Sequence, residues 1–317
     1  MEYKKVGKYG LKVSAMSLGS WLTYGETIDQ EKSKEIIYAA YDSGITSFDT
    51  ANAYNGGEAE AVLGKVLKDF RRETYVIGTK LFFAMGDTPN ESGSSRKAVV
   101  EQVNNSLQRL QTDYVDILYF HRYDEETPIY ETLRAIDDMI RQGKVLYYGV
   151  SEWTAKQITD ALHTADKYLL DRMIVNQPSY NLLNRYIEKE VLPLCKEQGV
   201  GQIVFSPLAQ GMLTGKYQDA EAVPKGSRAD TAQGQWLRDE YFSAENFRKI
   251  GELAKLSEEA GIPMARLALA WNLSVDGISS VILGASRKEQ ILENIKALDV
   301  NLTEDMKKRI NEICPIG

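Results

Sequence analysis

Four side chains in this sequence could together place a proton on a carbonyl oxygen: Asp49, Tyr54, Lys80 and His121. Each lies at or just past the end of an apolar run that reads as a β-strand. Asp49 ends GITSFD, Lys80 ends YVIGTK and His121 ends YVDILYFH, while Tyr54 follows the first run in FDTANAY. Singly, each has an ordinary explanation: Asp49 a helix N-cap, Tyr54 a packing aromatic, Lys80 a solvated cation, His121 a hydrogen-bonded structural imidazole. Delivery by three consecutive strand ends weakens those explanations. Histidine is also scarce, with only His121 and His163 in 317 residues. A lysine that ends an apolar strand would sit deep, where it needs a counter-charge.

The four make a coherent proton donor. A carbonyl that accepts hydride gathers negative charge on its oxygen and then needs a proton. Tyrosine, with an ordinary pKa of about 10, is too weak an acid unless it is tuned. A neighbouring ammonium stabilises phenolate and lowers that pKa, a role open to Lys80. Asp49 can anchor Lys80 and offset its burial. His121 can donate a hydrogen bond that orients the carbonyl oxygen, provided that the donor lies within hydrogen-bond reach.

The elements that must position these residues alternate along the chain. Eight short apolar runs, AMSLG, ITSFD, YVIGTK, VDILYF, LYYGVS, MIVNQ, QIVFS and SSVILG, are separated by amphipathic helical patterns such as EKSKEIIYAAYDSG, with Gly44 as its C-cap signal. Eight β-then-α units predict an α/β fold, a (β/α)8 TIM barrel in which active sites gather at the C-terminal strand ends. An open doubly wound sheet is disfavoured, because no G-x-G-x-x-G follows the first strand. Residues 1–13 are expected to form an N-terminal β-hairpin closing the bottom. The stretch from Ala209 to about Ala244 reads as a long structureless loop over the C-terminal mouth. TEDMKKRINEIC is expected to pack outside the barrel. No interdomain linker interrupts residues 1–317, which read as a single domain.

Bulk properties bound the function. A net charge of −7 and a pI near 5.2 argue against a nucleic-acid or anionic-membrane binder. No apolar run approaches the length of a membrane span, which argues against direct membrane insertion. MEYKKVGKYGLKVS has no apolar signal core, and two cysteines, Cys195 and Cys314, make neither a disulfide framework nor a CxxC pair. A reducing cytoplasm is the simplest location. No metal cluster is visible in the spacing.

Asp49–Tyr54–Lys80–His121 resembles the aldo-keto reductase tetrad. GKYGLKVSAMSLGSW, FDTANAY, RLQTDYVDILYFHRYD, VLYYGVSEW, NQPSYNLLNR, FSPLAQGMLTGKY and VILGASRKEQILENIKAL extend the resemblance over nearly the whole chain. The branch resembled contains voltage-gated potassium channel β subunits and bacterial L-glyceraldehyde 3-phosphate reductases. NQPSYNLLNR and FSPLAQGMLTGKY lean towards the latter. His121 stands where the channel subunits carry asparagine.

The resemblance implies a nicotinamide dinucleotide across the mouth and a small carbonyl substrate. Trp21 and Asp49 would lie by the nicotinamide. Ser151 and Gln177 would bond its carboxamide, with Glu152 where the family usually has asparagine. Phe205 would stack on the ring. Ser206, Pro207, Leu208, Gln210, Gly211 and Lys216 would follow the pyrophosphate. Gly284, Ser286, Arg287, Gln290, Glu293 and Asn294 would hold the adenosine end. Arg287 with Ser286, or Arg228 from the insertion, would take a 2′-phosphate, which favours NADPH/NADP+ with NADH as the alternative. Without the resemblance, Glu293 and Asn294 read as an ordinary polar helix face.

Trp21, Tyr54, His121 and Arg122 would meet the substrate. Arg122 could bind an anionic substrate or serve an ion pair at the surface. Trp21, Tyr24, Phe82, Phe83 and Trp153 are candidate pocket aromatics, some of them for packing alone. The resemblance also implies a homo-oligomer. Two other functions stay open: a redox-sensing accessory subunit of the channel β kind, and a barrel aldolase using Lys80 as a Schiff base. Asp49 opposes the lowered lysine pKa that the aldolase requires.

Overall fold

The chain begins with an antiparallel hairpin, β1 (Tyr3–Lys5) and β2 (Lys12–Ser14). Val6 and Val13 pack among Ile117, Ile174 and Ile203 of the sheet interior. The Lys8 amide donates to the Gly199 carbonyl at 3.0 Å. Gly199 precedes a strand, so the hairpin closes the end of the barrel where strands begin.

Eight parallel strands then form a closed ring: β3 (Met16–Gly19), β4 (Ser47–Asp49), β5 (Val76–Leu81), β6 (Val115–Phe120), β7 (Val145–Ser151), β8 (Val175–Gln177), β9 (Gly201–Val204) and β10 (Ile278–Leu283). β10 returns to β3, setting Val281 opposite Met16 and Leu283 opposite Leu18. All eight apolar runs become strands. Apart from Leu146 and Tyr147 of β7 and Val76 of β5 they are buried on both faces, which is why they read as continuous apolar runs and not as alternation. The computed structural model describes residues 1–21, 29–217, 219, 223–225, 227–231 and 234–316. Tyr24 lies outside the described residues.

The helices are α1 (Gln30–Asp42), α2 (Glu58–Leu67), α3 (Arg96–Leu110), α4 (Ile129–Arg141), α5 (Ala155–Tyr168), α6 (Val191–Gln198), α7 (Gln235–Tyr241), α8 (Ala244–Ala260), α9 (Met264–Ser274), α10 (Lys288–Ile295) and α11 (Glu304–Ile313). Their starts are marked by caps. The Asp29 carboxylate accepts from the Lys32 amide at 2.8 Å, and Thr154 with Gln157 forms a reciprocal capping box at α5. Gly44, with φ +86°, takes the left-handed position just past α1. Helix residues such as Ile36, Leu63, Val103 and Ile136 pack on the outer face of the ring in one continuous core. Each such buried side chain contributes about 1.5–3 kcal/mol. α11 lies outside the ring, where Arg309 pairs with Glu259 of α8 at 2.7 Å.

The insertion after β9 departs from the sequence expectation. It contains short 3-10 turns at Ala209–Thr214 and Arg228–Asp230, followed by α7. Leu237 and Tyr241, one turn apart, are both buried, and that burial is what orders a segment of polar composition. As expected, it covers the mouth: Lys216, Arg228 and Trp236 line one cavity with the strand ends.

Candidate active site

The cavity at the C-terminal strand ends has a volume of about 1150 Å³. Asp49 ends β4, Lys80 is the next-to-last residue of β5 and His121 follows β6. Tyr54 opens a 3-10 turn, Tyr54–Gly57, that leads into α2. That turn is fixed from below. Glu60, fully buried, accepts from the Thr79 hydroxyl at 2.5 Å and from Arg109 Nε at 2.7 Å. Thr79 is the neighbour of Lys80, so one network ties the Tyr54 turn to the strand that carries the lysine.

Lys80 is 1% exposed, and its Nζ lies 2.5 Å from Asp49 Oδ1 and 2.7 Å from the Thr50 carbonyl. Burial works against the ammonium, but Asp49 and Tyr54 outweigh it and its pKa is raised. Lys80 is therefore a fixed cation at neutral pH. This opposes Schiff-base chemistry, which needs the free amine. The same ammonium sits 4.9 Å from the centre of the Tyr54 ring.

The expected tuning of Tyr54 is present but is not the larger effect. Burial raises the phenol pKa, Lys80 pulls it down and Asp49 adds to the rise, leaving it above 10.0. Tyr54 is thus held in its acid form. His121 packs against it edge to face, with ring centres 5.7 Å apart, and meets Phe83 at 4.9 Å. Burial, reinforced by the charges of Lys80 and Arg122, lowers the His121 pKa from 6.5 to about 2. The imidazole is neutral at physiological pH, with one N–H to give and one lone pair. Its Nδ1 is buried without a partner among the described residues.

The remaining candidates divide by location. Trp21 lines the cavity and meets Trp236 edge to face at 5.4 Å. Ser151 donates to the Gln177 carbonyl at 2.8 Å, and Gln177 Nε2 donates to Asp49 Oδ2 at 2.8 Å. Glu152 takes a left-handed φ of +59° and accepts from the Ser179 amide at 2.5 Å and the Tyr186 hydroxyl at 3.2 Å. Its carboxylate is engaged by the protein.

Phe205, Ser206, Pro207, Leu208, Gln210, Gly211 and Lys216 form one wall. Ser206, Gln210 and Gly211 all have positive φ. Both polar atoms of the Gln210 amide are buried without a partner among the described residues. Gly284, Ser286, Gln290 and Asn294 form the far end, where Gln290 Oε1 accepts from the Ser286 amide at 2.8 Å.

Two candidates lie elsewhere. Arg287 is exposed at the N-cap position of α10 and is absent from the cavity lining. Glu293 faces outward, paired with Lys296 at 2.6 Å and with Arg266. Arg228 does line the wall, and burial lowers its guanidinium pKa against the influence of the Tyr217 phenol. Arg122 lines the opposite end, with its Nη1 donating to the His121 carbonyl at 2.5 Å and its guanidinium over Phe83 at 5.6 Å. Trp153 is a packing aromatic, 2% exposed against Phe120 and Tyr123. Phe82 also stays out of the lining, whereas Phe83 is in it.

Sequence reading missed Trp236 and Glu240 of α7, and Ser179 and Asn184 after β8, all of which line the cavity. The available signal was the helical spacing in QWLRDEY. A dinucleotide fits what is present: a long cavity, orphaned amide groups in Gln210, a desolvated Arg228 and a buried acid–base cluster at one end.

A model of the Aldo/keto reductase family matches residues 15–315. A probable voltage-gated potassium channel subunit beta of Arabidopsis thaliana is 44% identical over 303 residues, spanning 95% of this chain and 92% of the relative. A protein of the same description in Oryza sativa subsp. japonica is 43% identical over the same shares. A putative voltage-gated potassium channel subunit beta of Schizosaccharomyces pombe is 44% identical over 322 residues, spanning 98% of this chain and 92% of its own length. Barrel, tetrad geometry and sequence match agree that the chain belongs to the aldo/keto reductase family, a family of oxidoreductases that generally use NAD(P)H.

Proposed function

We propose that the protein is an NADPH-dependent reductase of aldehydes and ketones, with Tyr54 as the proton donor. The observation that carries this reading is the buried Lys80–Asp49 pair at 2.5 Å beside a Tyr54 ring 4.9 Å from the same ammonium. When bound, the nucleotide supplies hydride to the carbonyl carbon. Tyr54 gives its phenolic proton to the carbonyl oxygen as charge develops there. Lys80 stabilises the phenolate left behind, and Asp49 keeps Lys80 charged and in place. His121, neutral, directs an N–H at the oxygen and orients it. Trp21 and Trp236 close one side of the reacting region against water.

For the nucleotide, Ser151 and Gln177 hold the carboxamide and Phe205 stacks on the ring. Gln210, Gly211 and Lys216 follow the pyrophosphate, and Gln290 and Asn294 hold the adenosine. Arg228, together with Ser286, takes the 2′-phosphate and favours NADPH over NADH. This assignment prefers Arg228 to Arg287 because only Arg228 lines the cavity. Arg122 gives the substrate end a cation, and phosphorylated or carboxylated aldehydes belong in the substrate panel on that account.

The test is consumption of NADPH with a panel of aldehydes, repeated with Tyr54→Phe. Turnover in the wild type and its loss in the variant support the reading. Full turnover in Tyr54→Phe sinks the tetrad assignment. The names of the relatives favour one further reading, an accessory subunit that binds nucleotide and reports redox poise to a membrane partner. Nucleotide binding without turnover, together with recovery of the protein bound to a channel-type membrane protein, would support that reading instead.

A further inference from the structure

Asp49 is held from both sides of the barrel. Its Oδ1 accepts from Lys80, while its Oδ2 accepts from Gln177 Nε2 at 2.8 Å. β4 and β8 stand four strands apart in a ring of eight, so the Gln177 bond spans the bore. A carboxylate engaged on both oxygens from opposite walls has one orientation left. Packed nearby is Tyr119, a phenol 1% exposed that does not line the cavity. Tyr119 is paired in register with Lys80 on one side and with Gly149 on the other. The Lys80 ammonium lies between two rings, 4.9 Å from the centre of Tyr54 and 5.9 Å from that of Tyr119.

The Tyr119 ring has a made seat. Gly78 pairs with Asp49, and a Cβ at Gly78 or at Gly149 would come within 3.0 Å of the Tyr119 ring. That is closer than carbon atoms approach without displacement. The absence of a side chain at Gly78 leaves this ring its place beside Asp49, while Gly149 makes room chiefly for Val175. Burial, reinforced by Asp49, drives the Tyr119 phenol well above its usual pKa, with the Gln177 amide pulling the other way. Tyr119 therefore never carries charge at working pH, and brings polarity without titration.

We propose that Gln177 is a positioning residue for the proton donor, holding Asp49 from across the barrel so that its carboxylate is shared between Lys80 and Gln177. The groups facing Tyr54 are Lys80 and Asp49 on the strand ends, His121 and Arg122 after β6. Of these, Asp49 is the one that raises the Tyr54 pKa. The Gln177 N–H takes up part of the Asp49 charge and so moderates that rise. Loss of the bond leaves Asp49 less compensated, and the phenol becomes a weaker acid.

The inference rests on Tyr54 as proton donor, and its test reads the ionisation of Tyr54 directly. Nucleotide-free protein is jumped to alkaline pH in a stopped-flow cell. Tyrosinate absorbance is read before unfolding, and the signal of Tyr54→Phe is subtracted. We expect Gln177→Met to move the Tyr54 titration up by about one pH unit. Tyr148→Phe removes another buried hydroxyl, one that donates to the Asp171 carbonyl at 3.1 Å, and should leave the titration in place. Circular dichroism of each variant at the starting pH establishes that it is folded. An unmoved titration in Gln177→Met overturns the proposal. The reading of Tyr54 fails separately, by retained turnover in Tyr54→Phe.

Discussion

The two ends of the cavity handle charge in opposite ways. At the tetrad end, charges are matched inside the protein: Lys80 faces Asp49 at 2.5 Å, and Asp49 has a second donor in Gln177. At the other end, Arg228 is desolvated and its pKa falls, and among the described residues no ion pair holds it as Asp49 holds Lys80. Asp49, Lys80 and Gln177 thus hold one another in place ahead of any ligand, an arrangement that electrostatic catalysis would use. The far end instead keeps a cation whose burial cost an anionic ligand can offset. Strand ends build the first region, and an insertion with one short helix builds much of the second.

The largest expected effect lies at the matched end. Tyr54→Phe should lower kcat about 10²–10⁴-fold in a NADPH-oxidation assay while changing the nucleotide Kd far less. A comparable loss in both would mean that the two ends are not separable. Lys80→Met leaves the Asp49 charge buried without its partner. It should destabilise the fold by about 3–5 kcal/mol in urea unfolding, and Asp49→Asn in the same chain should restore much of that.

Arg228→Ala tests the unmatched end. Titration calorimetry should show NADPH binding about 10–100-fold weaker with NADH little changed, the loss of one strong charge-assisted contact. Arg287→Ala should matter less, and the reverse ranking would return the 2′-phosphate to α10.

The smallest effect is a slope. His121 has a folded pKa of about 2 against an ordinary 6.5. Between those values the unfolded chain binds a proton that the folded chain refuses, so stability falls as pH drops below about 6.5. His121→Asn should remove about 1.4 kcal/mol per pH unit from that slope, measured by urea unfolding between about pH 6 and pH 4. An unchanged slope would put charge on the imidazole and break the neutral-donor role.

Much of this was legible in the chain. Strand ends announced themselves because a strand buried on both faces needs an apolar run, and Asp49, Lys80 and His121 each interrupt one. Less legible was anything that depends on distance across the bore. Gln177 meets Asp49 from 128 residues away, and no local pattern encodes that encounter. The insertion read as structureless because its composition is polar. Its order comes from scattered apolar side chains, among them Met212, Leu213, Tyr217, Leu237 and Tyr241, that find cover only in the folded protein. Arg287 stays out of the cavity lining for a related reason: a residue opening a helix looks aimed at a ligand, yet the direction of its side chain depends on how α10 leaves the sheet.

Closure of the ring has a consequence for biosynthesis. Met16–Gly19 must wait for Ile278–Leu283 to find their second neighbour, and a ribosome delivers these segments at opposite ends of its work. Until then two strands stand unpaired along one side, and the bore that holds the tetrad has no fixed shape. Parallel pairing over such sequence separation is slow to form and leaves sticky edges exposed while it does. The nascent chain is therefore at greatest risk of aggregation just before its last strand emerges, and a stop shortly before Ile278 is the truncation from which a cell would recover least.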